Sequence, residues 1–66
     1  DSAIAEFSDS LEKIPDNAIV HYHLGLAYHK KGDIDRARIE LEKALSLNQN
    51  FEEADAARQI LSSFHP

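Results

Sequence analysis

The sequence predicts an all-α chain of four helices folded as antiparallel helix-turn-helix repeats. Three observations carry that expectation. Apolar residues recur at three- and four-residue spacing in four separate windows, the pattern of amphipathic helices. The breaks between windows are short and polar, and two prolines and two glycines are the only strong breakers in 66 residues. The chain also repeats itself. Shifted by 34 positions, Ala3 falls on Ala37, Phe7 on Leu41, Leu11 on Leu45 and Pro15 on Gln49, so the pattern of the first window returns in the third.

The first helix carries Ala3, Ile4, Phe7, Leu11 and Ile14 and ends near Lys13, because Pro15 disfavours helical geometry in the residue before it. Asp16 and Asn17 can cap the second helix, whose inward stripe is Val20, Leu24, Ala27 and Tyr28. Gly32 is placed to end it. Asp33 caps the third helix, with Ile34, Ala37, Leu41, Ala44 and Leu45 on one side and mostly charged residues on the other. Asn50 followed three residues later by Glu53 predicts a capping box for the fourth helix, which carries Ala54, Ala57, Leu61 and Phe64 at helical spacing. Gly25 lies inside the second helix, where glycine costs ~1 kcal/mol relative to alanine, so a close approach by a neighbouring helix is expected there.

Composition narrows the function. With 42% hydrophobic and 29% charged residues the chain lies away from the signature of disorder, although so short a chain buries only ~60% of its unfolded surface. A net charge of −5 argues against nucleic acid as a partner, since binding the phosphate backbone needs clustered Lys and Arg. No apolar run approaches the ~20 residues that cross a bilayer, and no charged start followed by an apolar stretch marks a signal peptide. No membrane partner is expected for this segment. The absence of cysteine excludes disulfide and thiolate chemistry and leaves the compartment open.

A helix-turn-helix period of this size, with His21, Leu24-Gly25, Tyr28, Ala37, Leu41 and Ala44 at their observed spacing, resembles the tetratricopeptide repeat family. The resemblance implies an α-solenoid fragment in which Leu24, Gly25, Tyr28, Ala37, Leu41 and Ala44 are repeat-packing residues. Two places depart from the family pattern. His21 stands where a tryptophan or another large side chain is usual, and Gln49 where proline is usual. On this register residues 18–51 form one complete repeat, 1–17 the second helix of a preceding repeat, and 52–66 a C-terminal capping helix.

The two ends read differently. The fourth helix places Asp55, Arg58, Gln59 and Ser62 where the complete repeat has His21, Leu24, Gly25 and Tyr28, which suits the water-compatible outer face of a terminal element. The chain opens at Asp1 without methionine, in residues that already look helical, which suggests a segment of a longer protein. Ile4, Phe7, Leu11 and Ile14 form a stripe that an array would sandwich between neighbours, so self-association as a homodimer through residues 1–13 is one expectation. Cover by the second helix alone is the other.

Candidate chemistry is sparse. His21 and His23 are two apart and point to opposite sides of a helix, while His21 and His29 share a side but sit about 12 Å apart along the axis. Neither pair can grip one ion, so no metal and no cofactor are expected. There is no Gly-x-Ser-x-Gly elbow, no phosphate-cradling glycine loop and no glutamate-histidine zinc motif. The carboxylates sit where helix caps and solvated faces need them, and the expectation is a protein that is not an enzyme.

The other face of the second helix carries Ile19, Tyr22, His23, Leu26, His29 and Lys30, an apolar, aromatic and basic stripe in an acidic chain. The resemblance implies that this helix lines a concave groove for a peptide or helix of another protein, with these six as the partner-binding residues. The carboxylate clamp of some family members is absent, because Tyr22, His23 and Leu26 occupy the places involved. The competing reading is that Ile19 and Leu26 pack against the fourth helix through Ala56 and Ile60. A protein-interaction scaffold is therefore expected first, and a structural capping or self-association element second.

Overall fold

The computed structural model describes residues 2–64, and four α-helices account for most of them: α1 (Ser2–Lys13), α2 (Ala18–Lys31), α3 (Ile34–Leu47) and α4 (Ala54–Ser62). They follow one another as antiparallel neighbours joined by short turns, and no described residue lies in a strand. No helix among the described residues is long and apolar enough to cross a membrane.

Each turn is written in local chemistry. After α1 the chain turns through Ile14 and Pro15, and the Asn17 side chain accepts hydrogen bonds from the backbone amides of Ile19 and Val20 at 3.1 and 3.2 Å. Asn17, and not Asp16, is thus the N-cap of α2. At the other end Gly32 adopts φ 94°, a left-handed conformation that costs an L-residue with a side chain, and the Asp33 amide donates back to the Tyr28 carbonyl at 2.9 Å. Asp33 then caps α3 by accepting from the Arg36 amide at 3.3 Å. Two residues therefore end one helix and start the next, and α2 and α3 must lie side by side.

The hairpin closes on a bare backbone. A methyl group placed on Gly25 would lie 2.7 and 2.8 Å from Cγ and Cδ2 of Leu41 and 3.3 Å from the Ala37 carbonyl oxygen. Leu41, Ala37 and Ala44 are fully buried. The small surface that meets Gly25 is Ala37, with Leu41 filling the remaining space; Ala44 serves the core farther along α3.

That core joins Ala18 and Tyr22 of α2, Leu41 and Ala44 of α3, and Phe51, Ala54 and Ala57 of the following segment. Phe51 also explains the one misread boundary. The expected capping box of Asn50 and Glu53 does not form, because Phe51 turns inward onto Tyr22 and the chain enters α4 only at Ala54. Asn50 instead donates its amide to the Asn48 side chain at 2.9 Å, and Glu53 stands at the N-cap without a side-chain hydrogen bond. The expected fourth helix also reached 65 and 66, which lie outside the described residues.

α4 presents Asp55, Arg58, Gln59 and Ser62 to solvent. Its C-terminal end is held by the Arg38 guanidinium, which donates to the Phe64 carbonyl at 2.7 Å. α1 packs against α2 without a single fully buried residue.

Candidate partner-binding groove

Two ring contacts set the relative direction of α2 and α4, the helices expected to wall the groove. Tyr22 meets Phe51, just before α4, with ring centroids 5.7 Å apart, and His29, two turns farther along α2, meets Phe64, just after α4, at 5.2 Å. Both helices therefore run the same way. On α2 the residues between α1 on one flank and α4 on the other are Ile19, His23, Leu26 and Lys30, which fall within about 60° of one another around the helix axis.

The six expected groove residues divide accordingly. Ile19 is 47% exposed, His23 and Leu26 are half-buried, and Lys30 is exposed. The His23 ring stacks on Phe7 of α1, centroids 5.7 Å apart and planes 17° from parallel. Leu26 packs against the central core, as do Ala56 and Ile60 of α4. Tyr22 departs from the expectation of an offered contact: it is 7% exposed, its ring covered by Phe51, so it shapes the wall from beneath. His29 keeps solvent access while leaning on Phe64.

The six residues expected to pack the repeat also separate. Leu24, Gly25, Ala37, Leu41 and Ala44 are buried, whereas Tyr28 is half-buried with the Arg36 guanidinium 5.9 Å above its ring. Of the stripe considered for self-association, Ile4, Phe7 and Leu11 are half-buried, and Ile14 lies past the end of α1 and is 59% exposed.

Sequence reasoning missed the work of His21. Only 4% exposed, it places Nδ1 2.7 Å from a Glu40 carboxylate oxygen and Nε2 2.8 Å from the Pro15 carbonyl oxygen. One imidazole thus ties the turn after α1 to α3 through α2. A hydrophobic residue there would leave both oxygens without this partner. The signal was present in the departure itself: a polar ring in a place that favours a large apolar one needs acceptors when buried, and Glu40 lies on the facing helix.

On the opposite side from the groove, Ser8, Leu11, Glu12, Pro15, Leu24 and Lys43 help enclose an open hollow of about 360 Å³ above His21. With both nitrogens engaged by protein oxygens, His21 offers nothing to a ligand in that hollow. Among the described residues no group of three His, Cys, Asp or Glu side chains could hold a metal ion.

The glycine-tight hairpin of α2 and α3 falls in the stretch that a family model described as "Tetratricopeptide repeat" matches, residues 18–51, just over half of the chain. The chain belongs to the tetratricopeptide repeat family. A second model, described as "TPR repeat", matches residues 1–32 and so takes in α1 and α2. No curated protein and no solved structure matches. Tetratricopeptide repeats generally mediate protein–protein interaction and are typically non-enzymatic scaffolds.

Proposed function

We propose that this chain is a protein-interaction scaffold that holds a peptide or helix segment of a partner along the open face of α2, with α4 as the adjoining wall, and that it is not an enzyme. The observation that carries the reading is Ile19. A large apolar side chain left 47% exposed on an otherwise well-packed helix, in line with Leu26 two turns on, is a contact surface without an internal partner that covers it. Tyr22 and Phe51 hold that surface rigid from below, so little ordering is lost when a segment docks.

The test is a pair of substitutions. Ile19→Glu is expected to abolish partner binding while leaving the melting temperature within a few degrees, because the side chain contributes little to the core. Ile39→Glu, on the far side of α3 and 57% exposed, is expected to change neither. Equal effects of the two on binding would remove the groove.

A second reading rests on α1, which brings no fully buried residue to the fold. On it, residues 1–17 act as the second helix of a preceding repeat, residues 52–66 as a cap, and the chain serves as a structural or self-associating element through Phe7 and Leu11. It predicts that Phe7→Ser with Leu11→Ser changes the sedimentation behaviour of the chain, whereas Ile19→Glu does not alter any binding.

A further inference from the structure

On the reading that α2 and α4 hold a partner segment, we infer that the segment is an amphipathic helix with a carboxylate at one end and a base at the other, lying along the groove in one direction. Three observations carry this. Ile19 and Leu26 are seven residues apart, so along α2 they are separated by about 10.5 Å, which matches two turns of a partner helix at about 10.8 Å. An extended strand repeats on one face every ~6.8 Å and fits that spacing poorly.

The ends of this apolar strip carry opposite charge. In the 34-residue register Glu53 takes the place of Ile19, and Ile60 that of Leu26, so the two walls read Ile19, Leu26, Lys30 and Glu53, Ile60 from the same end. Because α2 and α4 run the same way, Glu53, at the start of α4, stands toward the N-terminal end of the strip, and Lys30 stands at its C-terminal end, eleven residues or about 16 Å beyond Ile19 along α2. Both suit their own helix dipoles. What points to a ligand is that they bracket one apolar strip on one side. Neither forms an ion pair among the described residues, and the Glu53 side chain caps nothing. The other charges near the N-terminal end are partly spent within the chain: Arg58 donates to Asp55 at 2.8 Å and to the Gln49 carbonyl at 2.7 Å.

A partner helix therefore places its acidic end over Lys30, with His29 and Lys31 nearby, and its basic end over Glu53. The apolar anchors between them rest on Ile19, Leu26 and Ile60. Exposed pairs of this kind discriminate by about threefold each and fade with salt.

The experiment uses three stapled helical peptides with blocked termini and identical apolar stripes, their end charges being Asp and Lys, Lys and Lys, or Asp and Asp. Each is titrated by NMR against the 66-residue chain and against Lys30→Glu and Glu53→Lys. The chain is expected to favour the Asp and Lys peptide by about threefold, Lys30→Glu the doubly basic one, and Glu53→Lys the doubly acidic one. A spin label at the Asp end is expected to broaden the amide signals of His29 to Lys31. Equal affinities, or preferences unmoved by the two substitutions, overturn the charge order and leave the groove standing. If no peptide shifts the Ile19 and Leu26 signals, the groove reading falls and the inference with it.

Discussion

Replacing Gly25 by alanine sets two effects of known size against each other. In a helix interior alanine is favoured over glycine by ~1 kcal/mol, so an exposed site would gain stability. Here the new methyl group would come within 2.7 Å of Leu41 Cγ and 2.8 Å of its Cδ2. Leu41 is fully buried, so moving it aside disturbs the packing around it, and the Ala37 carbonyl at 3.3 Å opposes a shift of the methyl group toward α3. Overpacking of this kind costs about 1–3 kcal/mol, and contacts this short belong in the upper half of that range. The net expectation is a loss of about 1–2 kcal/mol, or roughly 5–15 °C in melting temperature for a domain of this size. Urea unfolding measures it, and a double-mutant cycle with Leu41→Ala assigns it. Removing the leucine branches relieves the clash while the propensity gain persists, so the coupling should be favourable by the whole overpacking cost, about 2–3 kcal/mol, in sucrose to keep the double variant folded. Gly32→Ala is the contrast. It loses about 1–2 kcal/mol from its left-handed φ, has nothing within 4 Å, and should be additive with Leu41→Ala. An unchanged or raised stability for Gly25→Ala, or additivity with Leu41→Ala, would refute close approach as the reason for the glycine.

Three further outcomes follow from other contacts. His21→Ala removes both the Glu40 and the Pro15 partners and leaves space in the core, so a loss of about 2–3 kcal/mol in urea unfolding is expected. Asn17→Ala withdraws an acceptor from two backbone amides and should cost about 1 kcal/mol, read from the urea midpoint with an unchanged slope. Phe64→Ala strips the ring from His29 while the Arg38 bond to its carbonyl stays possible, so a loss of about 1 kcal/mol is expected, with amide exchange in α4 speeding up before that in α3.

Much of the fold was legible because it is written in local signals. Pro15, Asn17, Gly32 and Asp33 each act within a few residues of themselves, and the turn at Gly32 and Asp33 leaves α2 and α3 no choice but to pair. The glycine in α2 could be read as a contact because its cost as a helix former is known in advance. The start of α4 was not legible in the same way. Asn50 and Glu53 have the spacing of a capping box, yet Phe51 between them packs its ring on Tyr22 and α4 begins only at Ala54, so a tertiary contact stands where the local one was expected. Tyr22 was misplaced for the same reason. Helical spacing puts it on the edge of the open face, and only the position of Phe51 decides that the edge is covered.

His21 shows where pattern reading ends and energetics begins. Its place in the repeat register marks it as buried, and burial alone says that a polar ring must find oxygens. Which oxygens it finds depends on the turn after α1, since the Pro15 carbonyl points at Nε2 only when Pro15 and Asp16 form the turn that Asn17 then caps. The histidine therefore couples α1, which buries no residue fully, to a hairpin that packs tightly. If that coupling is what holds α1 in place, His21→Ala should raise amide exchange throughout α1 more than in α2 or α3, and His21→Phe, which keeps the ring volume, should do the same. Were His21→Phe to leave α1 as protected as before, packing area would be holding the helix and the two hydrogen bonds would be incidental to it.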